Sequence, residues 1–234
     1  DDGFLALGFA GLTVAMFPVD KAVARRLRSP SANENQFISR SARGFEIIAD
    51  PGSIVVGTAM YALGRVTHRR TLADIGLHTT EAIVGGSAIT LVLKGALGRS
   101  RPYVTDAKDP RDFAFGKGFG NADRQSFPSG HTTAAFAAAA AVTSEIKRTY
   151  PGYAWLAGGA MYGSATMVGL ARMYHNKHWA SDVALGAAIG TFSGLKVVRY
   201  SHNHPDNRVD RHLLEAMIAP GPDGGGMVGL NISW

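Results

Sequence analysis

The chain has 234 residues, 46% of them apolar and only 18% charged, which suits one domain with a sizeable core and excludes intrinsic disorder. It contains no cysteine, so disulfides, thiol catalysis, zinc–thiolate sites and iron–sulfur clusters are excluded. The net charge of +6 favours anionic partners, but the basic residues are dispersed without a Lys/Arg run, which argues against nucleic acid.

In chain order the apolar stretches are 3–17, 53–63, 81–93, 132–142, 154–170 and 183–195. Each falls short of the ~20 apolar residues that span a bilayer, and stretches of that length more often form buried core helices. The mean hydropathy of +0.01 is also low for a chain made mostly of spanning helices. The expectation is therefore a soluble domain in preference to an integral membrane protein, with membrane association left open. No charged segment precedes 3–17, so this stretch does not read as an intact signal peptide, and the start at Asp1-Asp2 suggests a mature form.

Residues 19–27 are amphipathic, with Lys21, Arg25 and Arg26 on one side, and 28–33 is a break before a second amphipathic helix over 33–48. Asp50-Pro51-Gly52 reads as a turn into the next helix. Residues 71–97 form one long helix or two. Residues 99–128 lack periodicity, and a structureless segment of that length is often functional. The Ala-rich 132–148 is a strong helix former, stopped by Tyr150-Pro151-Gly152, and 154–173 and 181–198 are two more helices. Few segments alternate with period two, so strands should be scarce; 227–234 alternates weakly and reads as one short strand. The predicted fold class is all-α, a helical bundle, with a domain over 1–200 and a tail over 201–234 that carries His202, His204 and a Gly-rich run.

Three clusters carry chemistry: Lys94 followed after six residues by Arg101-Pro102; Pro128-Ser129-Gly130-His131; and Arg172, five residues, His178, three residues, Asp182. Lys94, Arg101 and Arg172 can supply three cations to one phosphate. Pro128-Ser129-Gly130-His131 is a turn feeding a helix, whose free N–H groups and dipole form a second anion-binding device. His178 and Asp182 share a face if helical, so the carboxylate can hold one ring nitrogen and leave the other unprotonated as a nucleophile, with His131 left as a general acid. Each piece alone has a plainer reading: helix-end charges, a common turn, or an Arg172–Asp182 ion pair. His175, His178 and Asp182 are also spaced to hold a metal.

The combination resembles the type 2 phosphatidic acid phosphatase (PAP2) superfamily, which also holds bacterial non-specific acid phosphatases and vanadium haloperoxidases. All three parts of its signature occur in order over 94–182, with one departure: Ala171 stands where the family has Ser. The resemblance implies a helical bundle and a phosphohistidine mechanism that needs no metal or other cofactor. It implies His178 as nucleophile, Asp182 as its orienting partner and His131 as acid. It further implies Lys94, Arg101, Ser129, Gly130 and Arg172 as the phosphate cradle. His175, Asn176, Lys177 and Trp179 become candidates for the site wall.

The expected activity is hydrolysis of phosphate esters or diphosphates, lipid-linked or small, with vanadate as inhibitor and an extracytoplasmic location. Two other readings share the cradle: a vanadium-dependent haloperoxidase, against which the short chain argues, and a non-catalytic acidic-lipid binder, against which the intact histidines argue.

Overall fold

The structure, a computed structural model, describes residues 2–27, 36–214, 217–220 and 226–229. The helices are α1 (Asp2–Met16), which runs through a short 3-10 turn into α2 (Asp20–Leu27), then α3 (Gln36–Ile47), α4 (Ser53–Val66), α5 (Arg70–Leu97), α6 (Gly130–Thr149), α7 (Ala154–Tyr174), α8 (Ala180–Asn203) and α9 (Arg208–Leu214). Two short antiparallel strands, β1 (Met217–Pro220) and β2 (Gly226–Gly229), follow. The C-terminus thus holds a hairpin where one strand is expected, and the remainder of 227–234 and the 28–33 break lie outside the described residues. Residues 71–97 belong to one uninterrupted helix.

Helices α5, α6 and α8 form the centre, with α4 against α5, α7 against α6, and α1 against α8. The centre is close because its facing residues are small. On α6, Ala134, Ala137, Ala138 and Ala141 are buried. Opposite them Gly186, Gly190 and Gly194 recur every fourth residue and share one face of α8. A Cβ at Gly190 would lie 2.2 Å from the Thr133 carbonyl oxygen, and one at Gly194 would lie 2.6 Å from that of Ala137. The backbones therefore touch, as in the small-residue packing of membrane helices. This contact fixes the start of α8 against the start of α6, where the main-chain N–H of Ser129 donates to the Asp182 carbonyl at 3.0 Å.

Asp50-Pro51-Gly52 does not form the expected turn. It lies in a π-helical stretch, Ile48–Gly52, that joins α3 to α4. Proline removes one helical donor and its ring crowds the preceding turn, and a widened turn relieves that crowding without ending the helix. Helix α5 does stop sharply: Gly98 takes a left-handed φ of +59°, and a Cβ there would sit 2.0 Å from the Ala114 oxygen.

The expectation of a soluble domain is overturned. Three helical segments, Gly3–Leu27, Arg70–Leu97 and Ala180–Asn203, are long and apolar enough to cross a bilayer. Phe4, Leu7 and Val14 of α1 and Leu91 and Val92 of α5 are exposed, which suits a lipid environment. Counting uninterrupted apolar runs breaks α5 at His78 and Lys94, yet both residues are buried inside the bundle. Polar groups that face the interior do not shorten the apolar outer face.

Candidate active site

The three clusters meet at one end of the bundle. Lys94 comes from the last turn of α5, Arg101 from the 99–128 segment and Ser129, Gly130 and His131 from the start of α6. Arg172 closes α7, and His178 and Asp182 flank the start of α8. Lys94, Arg101 and Arg172 lie close enough to repel one another, and Asp182 attracts both Lys94 and Arg101. The Lys94 ammonium donates to the Gln125 carbonyl at 2.6 Å. The long segment carrying Arg101 is held by hydrogen bonds from Ser100 and Arg124 to Asp112, and Arg101 Nε donates to the Ala122 carbonyl.

His178 is 3% exposed. Its Nδ1 lies 2.7 Å from the Ser126 carbonyl oxygen, an acceptor only, so Nδ1 carries the proton and Nε2 keeps its lone pair. Asp182 Oδ2 stands 3.5 Å from the same Nδ1. The close orienting contact is thus a main-chain carbonyl, with the carboxylate behind it. Burial pulls the imidazole down to about 3, with Lys94 and Arg172 adding to the effect and Asp182 opposing it. A neutral ring results.

Asp182 is fully buried and heavily engaged. It accepts from Arg99 at 2.5 Å, from the Ser126 hydroxyl at 2.5 Å and from the Trp179 main-chain N–H at 2.7 Å. Arg99 in turn donates to Asp20 at 2.7 Å and to the Ser181 hydroxyl at 2.7 Å. Asp20 also accepts from the Ser181 main-chain N–H at 2.8 Å. Four aromatic rings, of Phe17, Phe113, Phe127 and Trp179, surround the guanidinium at 4.9–5.5 Å. One buried arginine therefore ties α2 to the carboxylate behind His178. Sequence reasoning missed both Arg99 and Asp20. The spacing of Arg99 from Arg101 offers a faint signal, but nothing marks Asp20.

Arg172 pairs with Glu46 of α3 at 2.8 Å, and the Arg172–Asp182 ion pair considered from sequence does not form. Glu46 also takes His175 Nδ1 at 2.9 Å, so His175 is directed away from a metal set with His178 and Asp182. Glu46 was not marked by any motif. Of the wall candidates, Trp179 is fully buried with its indole N–H on the Ser100 carbonyl, and Lys177 sits over the Tyr103 ring. Ser129 is buried and its hydroxyl accepts from Thr132 at 2.8 Å, which leaves its own proton to donate. Ala171, at the departed signature position, is buried against Ala42 and Tyr174.

A cleft of about 280 Å³ reaches Lys94 and Gly130, lined also by Thr90, Leu91 and Ser87. It shares Ala49 and Ser53 with a larger apolar cavity of about 430 Å³ between α4, α6 and α7. The cleft beside Lys94 thus continues into a larger apolar cavity.

The profile of the PAP2 superfamily matches residues 76–206, which include every signature residue; the chain belongs to that superfamily. It is 45% identical over 69 residues to a lipid A 1-phosphatase of Porphyromonas gingivalis, covering 30% of this chain and 15% of that protein. It is 34% identical over 130 residues to a lipid A 1-phosphatase of Rhizobium etli, covering 54% and 51%. The chain thus spans about half the length of the Rhizobium relative, and much less of the other. Its fold is similar to a transmembrane PAP2-type phosphatidylglycerolphosphate phosphatase from Bacillus subtilis, with a TM-score of 0.63 and 20% identity, over 85% of this chain and 94% of that one.

Proposed function

We propose that the protein is a lipid-phosphate phosphatase working through a phosphohistidine. The observation that carries this reading is the His178 ring, with Nδ1 committed to a carbonyl and Nε2 left unprotonated among cations. His178 Nε2 attacks phosphorus and the P–O ester bond breaks. The leaving oxygen takes a proton from His131, which then removes a proton from water. That water attacks phosphorus, the P–N bond breaks, and inorganic phosphate leaves with His178 regenerated. Lys94, Arg101 and Arg172 balance the charge of the transferring group, and the Ser129 hydroxyl and Gly130 N–H donate to its oxygens. Asp182 stabilises the ring as it becomes positive. The catalytic unit is 1–200, with 201–234 appended.

The apolar cavity beside the cleft and the names of the relatives favour an amphiphilic substrate, of which a lipid A 1-phosphate is the first candidate. The chemistry itself uses no metal, and orthovanadate should inhibit as a five-coordinate mimic. The test is a phosphate-release screen over lipid A, phosphatidate, isoprenyl diphosphate, nucleotide and sugar phosphates in detergent with chelator present. Release confined to the lipid substrates supports the reading. Release only from nucleotides or sugar phosphates, or from none, refutes it.

A further inference from the structure

At the end of the bundle remote from Lys94 lies a second buried group of titratable side chains that the phosphatase chemistry does not use. Asp74, His78 and Glu81 come from α5, Glu145 from α6, His202 from α8 and Asp210 from α9. His78 precedes Lys94 by sixteen residues of continuous helix, roughly 24 Å.

The hydrogen bonds sort this group into two layers. Glu145 is 2% exposed and accepts from His78 Nδ1 at 2.6 Å and from His202 Nε2 at 2.9 Å. Its capacity is well used. His78 Nε2, by contrast, is buried with no hydrogen-bond partner, in a residue 2% exposed. The nearest acid is Asp210, whose Oδ2 is 3.6 Å away and already accepts from Asn207 at 2.7 Å. Asp210 Oδ1 is itself buried and unpartnered. Were His78 doubly protonated, its second N–H would be stranded, since 3.6 Å is too long for a hydrogen bond. With one proton on Nδ1, Nε2 presents a lone pair towards two carboxylates, those of Asp210 and Glu81. The charge balance is lopsided too: four carboxylates (Asp74, Glu81, Glu145, Asp210) face two histidines, with Arg70 acting on Asp74 at the edge.

A lone pair and carboxylate oxygens converging in a net-negative buried space call for a cation. We propose that His78 Nε2, Glu81 and Asp210 bind a divalent transition-metal ion of the zinc type, with Glu145 as the carboxylate that fixes the His78 ring. The three donor atoms lie within 4.8 Å of one another. Bonds of about 2.0–2.2 Å would draw them about 1 Å closer, with water at the remaining position. An imidazole in the set argues against calcium or magnesium, which prefer oxygen alone. Donation of the opposite ring N–H to a carboxylate is the usual support of a metal-bound histidine.

The ion would act as a staple. Helix α9 has seven residues and reaches the bundle mainly through Asp210 and a hydrogen bond from the Tyr61 hydroxyl to the Leu213 carbonyl at 2.6 Å. Metal ligation would lock it to α5, far from the phosphate chemistry and independent of it.

The experiment uses untagged, detergent-purified protein, stripped with chelator and then dialysed against micromolar zinc, with bound metal counted by elemental analysis. The expected result is one zinc per chain and a rise in Tm of roughly 5–10 °C. Asp210→Asn and Glu81→Gln should each weaken binding at least tenfold, and Glu145→Gln should weaken it by about 10- to 100-fold through the ring orientation. Phosphatase kcat of Asp210→Asn should stay within twofold of the parent. No retained zinc, or zinc held equally well by Asp210→Asn, overturns the proposal. Because Asp210 lies in the first turn of a seven-residue helix, its variant should fold even where a His78 variant fails.

Discussion

The two ends of the bundle use the same device in opposite surroundings. At each end a buried histidine gives its Nδ1 proton to an oxygen acceptor, which leaves Nε2 as a base. Around His178 the four cations Lys94, Arg99, Arg101 and Arg172 outnumber the three acids Asp182, Asp20 and Glu46 that pair with them. Around His78 the acids outnumber the bases. The first lone pair therefore faces a place for an anion, the second a place for a cation. What a buried histidine does here is decided by the sign of the charge that its neighbours leave unbalanced.

The largest expected effect separates the two ends outright. His178→Ala should lower kcat by at least ~10⁴-fold on alkyl and nitrophenyl phosphates alike, because every turnover passes through that nitrogen. His131→Ala should lose about 10²–10⁴-fold on an alkyl ester and much less on a nitrophenyl ester, whose leaving group hardly needs a proton. Equal losses on both esters would show that His131 is not the acid.

The next test breaks the charge matching behind His178. Arg99→Lys keeps the charge but loses the fork that joins Asp20, Ser181 and Asp182. A misplaced carboxylate and imidazole should cost about 10²-fold in kcat with KM little changed. If KM rises instead and kcat holds, Arg99 belongs to the substrate cradle and the positioning account is wrong.

Gly190→Ala should disturb both ends together, since it sits midway along the stripe that seats α8 on α6. Forcing a Cβ to 2.2 Å from the Thr133 oxygen must push the helices apart. A loss of about 1–3 kcal/mol is expected, read as a lower Tm in detergent. An unchanged Tm would mean that the two helices do not pack as closely as described.

The smallest effect is in pH. A lowered pKa means that His178 stays neutral above about 3, so its protonation should not remove activity between pH 4 and 6. The acid limb of kcat/KM for the free enzyme, corrected for substrate ionisation, should then fall below the ordinary histidine range. A limb near 6.5 that Asp182→Asn shifts would contradict a neutral, buried nucleophile.

The signature residues were legible because their chemistry demands fixed residue types at fixed spacings, and the helices because Ala-rich and apolar runs leave few other choices. Arg99, Asp20 and Glu46 were not legible, because each acts through a partner 79 to 126 residues away and closes no local motif. The membrane setting was misjudged for a related reason. Run length treats His78 and Lys94 as interruptions, whereas the fold turns them inward and keeps the outer face of α5 apolar. The Gly186-Gly190-Gly194 stripe was visible as composition only; its meaning needed the Ala-rich face of α6 opposite it.

The most direct test of the central claim is to trap the covalent intermediate. The protein would be mixed with a substrate carrying labelled phosphate, quenched with base within the first turnover, and digested for mass spectrometry. The account predicts an acid-labile, base-stable phosphate on His178, present in greater amount in His131→Ala and absent from His178→Ala. Labelled phosphate on any other residue, or turnover with no labelled protein in either the parent or His131→Ala, would contradict it.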